Sequence, residues 1–179
     1  MCCLGHQRLS IIDTSNGGHQ PMISRNNRYV IVYNGEIYNH LVLRKELQNS
    51  RKISSWIGSS DTETLLSCIQ EWGLKETLSK VEGMFSLALW DRKNRELTLS
   101  RDRIGEKPLY YSHNNNRTYF GSEISALISN PDISIKNIDY ESIIHYLNLD
   151  YTPHDKTVVT SIKKAKNALK KIGLPTIIR

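Results

Sequence analysis

The 179 residues are enough for one domain with a substantial hydrophobic core and few for two. Hydrophobic residues make up 39% and charged residues 23%, as in a soluble globular protein, and no apolar run is long enough to span a membrane. The net charge is +6. Three cysteines, two of them adjacent, are too few for a disulfide framework and lack the spacing of a zinc site. No secretion signal is recognised at the start of the sequence, so the cytoplasm is the expected location.

The first predicted elements are a buried strand and a helix. The continuous apolar and β-branched run YVIVY, at residues 29–33, predicts the strand. Asn39 is placed to cap the helix HLVLRKEL that follows. Tyr38 and Leu43 have the spacing of a hydrophobic staple across the start of that helix.

A second helix is predicted to begin at SDTE. Ser60 and Glu63 have the spacing of a capping box, in which each side chain accepts a hydrogen bond from the other residue's backbone N–H. Leu65, Ile69 and Trp72 then recur at i, i+4 and i+7, which predicts one buried face.

The middle of the chain changes to strand periodicity. GMFSLALWD, the turn RKNR and ELTLSRD predict a β-hairpin with Leu97 and Leu99 on one face, and PLYYSH and RTYFGS predict another through NNN. Helical patterns return at 123–129 and at 139–149, where Asp139 is the expected cap. Helices at both ends of a hairpin-rich middle predict an α+β fold with largely antiparallel sheets.

Four stretches carry residues suited to substrate chemistry: GHQRLSII with Arg8, YNGEIYN, SDTE with Asp61, and the N-terminal Cys2. Each has an ordinary explanation when taken alone. Asn34-Gly35 after a strand is typical of a hairpin turn, and Asp61 in the first turn of a helix complements the helix dipole. An arginine beside a short strand is commonly a surface residue.

Together these residues match the chemical groups of an amino acid such as glutamine: a carboxylate, an ammonium and a side-chain amide. Arg8 can hold a carboxylate as a bidentate fork, which lysine cannot reproduce. Glu36 and Asp61 can pair with the ammonium. The Asn34 amide and the Gly35 backbone N–H can donate to an oxyanion, where glycine permits close approach.

Cys2 supplies a candidate nucleophile for the amide carbon. Its own α-amino group, with an ordinary pKa of about 7.7–8.0, can serve as the general base. This chemistry requires that Met1 be removed.

The chain resembles the N-terminal glutaminase domain of glutamine-hydrolysing asparagine synthetases, which are class II, N-terminal nucleophile amidotransferases. The matching segments, in family order, are GHQRLSIID with GGHQPM, YNGEIYN, SDTETLL, EGMFSLALWD, RDRIGEKPLYY and GSEISAL. They extend over roughly residues 4–164. The resemblance implies a four-layer sandwich of two antiparallel sheets between helical layers, here lacking its first strand.

The resemblance also implies which residues bind and hydrolyse glutamine to glutamate and ammonia. The implied roles are nucleophile for Cys2, glutamine backbone binding for Arg8 with the backbone of Leu9, Ile11 and Ile12, the oxyanion hole for Asn34 and Gly35, and ammonium binding for Glu36 and Asp61.

The chain departs from the family pattern at its start. In the family, the nucleophilic Cys precedes Gly, and several dozen residues separate it from the arginine motif. Here Cys3 follows Cys2, and only residues 3–7 separate Cys2 from Arg8. Two alternatives follow: a working Cys2 nucleophile, or a substrate site that lacks its nucleophile. The second is favoured because catalysis needs the sulfur held about 3–3.5 Å from the amide carbon.

The resemblance implies an amidotransferase domain at 1–150 and, at 151–179, the start of a link to an ATP-dependent synthetase domain. The resemblance stops at Ala165. The SGGxDS motif, with which the family's synthetase domain binds the pyrophosphate of ATP, does not occur in the sequence. We therefore expect no metal or cofactor in this chain, and ATP and Mg only in a synthetase domain.

The predicted function is the amidotransferase component of an asparagine synthetase, a ligase, supplying ammonia for the conversion of aspartate to asparagine. The alternative is a catalytically silent fragment that only binds glutamine or a partner subunit. The expected partners are glutamine and a synthetase domain or subunit, and no membrane. Binding of nucleic acid by the basic tail at Lys163–Lys171 is not expected, because no aromatic stacking residue lies among its lysines.

Overall fold

A computed structural model describes residues 2–7, 15–165 and the backbone of residues 176–177. The predicted site residues Arg8, Leu9, Ile11 and Ile12 lie outside the described residues, as do the tail lysines beyond Ala165.

The described chain forms two antiparallel sheets and their helices. The strands are β1 (Met22–Ile23), β2 (Tyr29–Ile37), β3 (Gly83–Asp91), β4 (Glu96–Arg101), β5 (Tyr110–Asn114), β6 (Arg117–Gly121), β7 (Lys163–Lys164) and β8 (Thr176–Ile177). The helices are α1 (His40–Asn49), α2 (Asp61–Trp72), α3 (Leu74–Lys80), α4 (Ile124–Ile128) and α5 (Tyr140–Leu149). The spatial order is β1-β2-β3-β4-β8 in the first sheet and β6-β5-β7 in the second.

Strand alternation divides the hydrophobic core into layers. Ile31 and Leu87 point from the first sheet toward the helices and pack with residues of α1 and α2. Their neighbours Val32 and Ala88 point the other way and pack with Leu109 between the two sheets.

A third cluster covers the outer face of the second sheet, where Leu127 of α4 packs with Ile133 and Ile162. The layers therefore run helices, sheet, sheet, helix. This arrangement confirms the predicted α+β class with antiparallel sheets. None of the helices in the described ranges has the length and apolar character of a membrane span.

Both ends of the described chain pack against the sheets. Leu4 contacts the core between the sheets. Near the other end, Ala165 donates a backbone hydrogen bond to the Leu109 carbonyl (2.8 Å), and β7 pairs with β5. The division of the chain at residue 150 stays a prediction.

Most predicted elements are confirmed. The YVIVY run lies within β2, and Leu65 and Ile69 of α2 are fully buried. Both hairpins form, and in the second the turn residues Asn115 and Asn116 adopt positive φ values of 47° and 62°. The Asp139 carboxylate caps α5 by accepting from the Ser142 N–H (3.1 Å).

The predicted cap of α1 is wrong. Asn39 occupies the capping position, but its side chain makes no capping hydrogen bond. Its amide instead donates to the Lys80 carbonyl (2.9 Å) and accepts from the Glu82 N–H (3.1 Å). Tyr38, expected to pack on Leu43 as a staple, is 58% exposed. A contact distant in sequence has replaced the local one.

The strands β2 and β3 approach closely at two glycines. A Cβ atom on Gly35 would overlap the Met84 carbonyl oxygen, and one on Gly83 would overlap the Glu36 carbonyl oxygen. Both glycines have positive φ, at 157° and 154°. The close approach allows the ladder to continue without a bulge from Tyr29 to Ile37.

We predict that Gly83→Ala lowers the free energy of unfolding more than Gly73→Ala does. Gly73 also has positive φ (80°) but has nothing within 4 Å of its would-be Cβ, so its substitution reports the conformational cost alone, about 1 kcal/mol. The steric overlap at Gly83 should add about 2 kcal/mol or more. Urea titration measures both values, and equal losses would contradict the steric argument.

Asp102, at the end of β4, organises the turn that follows. Its carboxylate is 2% exposed and accepts hydrogen bonds from the backbone N–H groups of Phe85, Ile104, Gly105, Glu106 and Lys107. Burial alone would raise the pKa of this carboxyl, but the backbone N–H groups outweigh it and hold the pKa below its ordinary value.

We predict that Asp102→Asn lowers stability at neutral pH and weakens its dependence on acid. Because the folded pKa is depressed, the carboxylate stabilises the fold above its unfolded pKa of about 3.9, and this contribution is lost as the pH falls through the folded value. Urea titrations at neutral pH and at about pH 3 measure the effect. The exposed Asp150→Asn is the control, and unchanged acid sensitivity in Asp102→Asn would refute the prediction.

Candidate functional site

Among the described residues, side chains bond the outer edge of β2 beyond its short pairing with β1. The Gln20 side-chain amide accepts from the Tyr33 N–H (2.6 Å) and donates to the Tyr33 carbonyl (3.0 Å). Four residues further on, the Ile37 N–H donates to Asp61 Oδ2 (3.0 Å). Residues 33 and 37 therefore both present their backbone groups to this edge.

Gly35 lies midway between these two residues and faces the same edge. In an antiparallel strand, alternate residues direct their N–H and C=O to the same side. The pairing with β3 is consistent with this direction. Phe85, which lies opposite Gly35, directs its N–H and C=O away from β2 and bonds both to Asp102. Asn34-Gly35 is thus part of β2 and is not the hairpin turn that the dipeptide suggests in isolation.

Asp61 is the first residue of α2 and is 5% exposed. Its Oδ2 atom accepts from the Tyr33 hydroxyl (2.9 Å) as well as from the Ile37 N–H. Burial, followed by the nearby Asp61 charge, raises the pKa of the Tyr33 phenol, so the hydroxyl remains a donor. The structure therefore brings Asp61 to the β2 edge beside Gly35.

The capping box predicted at α2 is only half formed. Ser60 Oγ accepts from the Thr62 N–H (3.1 Å), as expected for the cap. The Glu63 carboxylate, however, accepts from the N–H groups of Ile57 (2.9 Å) and Gly58 (3.0 Å). Glu63 holds the preceding loop instead of closing the box.

Two arginines complete this network. Arg25 donates to Glu63 (3.1 Å), and Arg44 bonds the carbonyls of Gly58 (2.9 Å) and Ser60 (2.8 Å). The Arg44 guanidinium also stacks 4.2 Å from the Trp56 ring centroid. These contacts fix the backbone immediately before Asp61.

Asn34 lies on the face of β2 that is directed toward the second sheet. It pairs with Ser86, and both line a cleft of about 110 Å³ between the sheets. Gly5 and His6 of the N-terminal segment line the same cleft, as does Phe120 of the second sheet. The cleft therefore adjoins the β2 edge that carries Gly35.

Glu36 follows Gly35 on β2 and is partly exposed. Burial lowers the pKa of the nearby His40 imidazole, and the charges of Asp61 and Glu36 oppose this shift. Both carboxylates therefore act on one histidine at the start of α1. The predicted residues Asn34, Gly35, Glu36 and Asp61 lie around one end of β2.

Cys2 has a half-buried thiol. Burial and the adjacent Cys3 raise the pKa of this thiol, and the positive amino terminus lowers it less strongly. The thiolate is therefore a minor species at neutral pH. Within the ranges that the structure describes, no group of three or more His, Cys, Asp or Glu side chains is arranged to hold a metal.

Sequence reasoning missed Gln20 and Tyr33 as parts of this site. Gln20 belongs to GGHQPM and Tyr33 ends YVIVY, so both lie in stretches that drew attention for other reasons. Their contacts join residues 13 and 28 positions apart, which no local pattern reveals.

A family model described as the glutamine amidotransferase domain matches residues 1–172. The asparagine synthetase [glutamine-hydrolyzing] 1 of Bacillus subtilis is 39% identical over 90% of this chain and 25% of its own length. A second synthetase of that organism, numbered 3, is 40% identical over 74% of this chain and 21% of its own length. The chain thus spans about a quarter of the length of these relatives.

Among solved structures, the chain is similar to glutamine phosphoribosylpyrophosphate amidotransferase from B. subtilis. The TM-score is 0.58 at 26% identity, over 69% of this chain and 28% of that one. The likeness is consistent with the sandwich of two sheets between helices that the N-terminal nucleophile amidotransferases share.

Proposed function

Because the chain belongs to the family of glutamine amidotransferase domains, we propose that it binds glutamine at the β2 edge and supplies ammonia within an asparagine-synthetase-type enzyme. The observation that carries the proposal is the position of Gly35. It lies between two residues whose backbone groups are already bonded, by Gln20 and by Asp61, and beside the cleft that Asn34 lines.

Each group of glutamine has a residue of matching chemistry in this proposal. The Asn34 amide and the Gly35 N–H donate to the oxyanion that forms when the amide is attacked. The carboxylates of Asp61 and Glu36 bind the ammonium.

The groups proposed to hold the rest of the glutamine backbone come from the N-terminal motif. They are the Arg8 guanidinium, which suits a carboxylate, and the backbone of Leu9, Ile11 and Ile12.

Cys2 is proposed as the nucleophile. The packing of Leu4 between the sheets, with Gly5 and His6 at the cleft, supports this role because the N-terminal segment is anchored beside Asn34. With Met1 in place, the raised pKa of the Cys2 thiol supports the alternative, a chain that binds glutamine without hydrolysing it. Ammonia release distinguishes the two.

The destination of the ammonia is proposed from the relatives. They are named asparagine synthetases and extend well beyond the matched region. In this proposal a synthetase domain or subunit, reached through residues 151–179, uses ATP and Mg to activate aspartate, and residues 1–150 supply the ammonia. The free thiols of Cys2, Cys3 and Cys68 support a reducing, cytoplasmic location.

We predict that Asp61→Asn and Arg8→Ala each weaken glutamine binding by roughly tenfold or more, because each removes a charge-assisted contact. Isothermal titration calorimetry with L-glutamine measures the affinity. Arg92→Ala, on the exposed β3–β4 turn, is the matched control and should bind as the wild type does. Unchanged affinity in both site variants would disprove the assignment of the site.

We predict that Cys2→Ala abolishes ammonia release from glutamine and leaves glutamine affinity unchanged. Because the α-amino group of Cys2 acts as the base only when it is unprotonated, the rate of the wild type without Met1 should increase as the pH rises through about 7.7–8.0, the ordinary pKa of that group. An ammonia assay across that range measures both effects. A folded wild type and variant that both bind glutamine but release no ammonia above a protein-free blank would establish the alternative of a chain that only binds glutamine.

A further inference from the structure

The Asp61 carboxylate commits one of its oxygens to the protein. Oδ2 accepts from the Tyr33 hydroxyl at 2.9 Å and from the Ile37 N–H at 3.0 Å. Two donors on a single oxygen set the plane of a carboxylate, because each lone pair has a preferred direction. The direction of the remaining oxygen follows from them.

We infer that Tyr33 is a positioning residue for the ammonium of glutamine: its hydroxyl orients the Asp61 carboxylate so that the second oxygen meets the substrate. The inference rests on the proposed function, in which Asp61 binds that ammonium. Tyr33 does not touch the substrate in this scheme and acts through Asp61.

Tyr33 is itself held at both its backbone and its ring. Its N–H and C=O are both bonded to the Gln20 amide. The residue is 4% exposed and belongs to the hydrophobic core between the first sheet and the helices. The same Gln20 amide nitrogen lies 3.5 Å from the Thr62 hydroxyl, next to Asp61. The hydroxyl and the carboxylate are therefore fixed relative to one another.

The donor state of Tyr33 persists over the working pH range. Burial and the Asp61 charge raise the pKa of the phenol, so the proton stays on the oxygen. The Tyr33 hydroxyl therefore remains the donor in its hydrogen bond to Asp61 Oδ2.

The test compares two ligands that differ only in the ammonium. L-glutamine carries it, and glutaramate retains the carboxylate and the amide but lacks the α-amino group. NMR titration measures both affinities for the wild-type chain and for Tyr33→Phe, which keeps the ring and removes the hydroxyl. Tyr29→Phe is the matched control, because Tyr29 is a buried tyrosine of the same strand with its ring beside Arg28.

We predict that Tyr33→Phe weakens L-glutamine binding roughly tenfold and leaves glutaramate binding unchanged, because the lost hydrogen bond orients a charged group that only glutamine uses. Tyr29→Phe should change neither affinity. An equal loss for both ligands would show a general structural effect and overturn the inference while leaving the proposed function intact. A wild-type chain that binds no glutamine would overturn both.

The Asp61→Asn background provides a second measurement. If Tyr33 acts through the Asp61 carboxylate, adding Tyr33→Phe to Asp61→Asn should not weaken glutamine binding further. Additive losses would show that Tyr33 acts independently of Asp61 and would contradict the positioning role.

Discussion

The Asp61 carboxylate joins the helical layer to the first sheet, and the geometry of the proposed site depends on this junction. It stands at the start of α2 and bonds the Tyr33 side chain and the Ile37 backbone of β2. A buried carboxylate is costly without donors, so these two hydrogen bonds favour one docking of α2 against β2. The same docking places the candidate ammonium ligand beside the edge that carries Gly35.

The loop before α2 is fixed by a second buried carboxylate. Glu63 and Arg44 together bond the backbone of residues 57–60, so the segment leading into Asp61 is held by side chains of two helices. The Glu63 carboxylate and the Arg44 guanidinium each make several hydrogen bonds, which is the condition under which buried charges are tolerated. The site is thus built on contacts between elements, and the individual helices do not determine it alone.

The sequence predicted the elements well where local periodicity determines them, as in the two hairpins and the buried face of α2. It failed where a contact distant in sequence competes with a local rule. Asn39 bonds the end of α3 and the segment after it, and Glu63 bonds the loop before α2, although both have capping positions. Residues of the candidate site were recognised by chemistry and family resemblance. The role of Gln20 depends on a side chain pairing with a strand, which a one-dimensional pattern does not encode.

Gln20 also has a consequence for the behaviour of the protein in concentrated solution. An unpaired strand edge offers its N–H and C=O groups to strands of other molecules, and this is a common start of aggregation. On β2 the Gln20 amide satisfies both backbone groups of Tyr33, and Asp61 takes the N–H of Ile37. A strand from another chain that approached this stretch of β2 would find these hydrogen-bonding groups already taken.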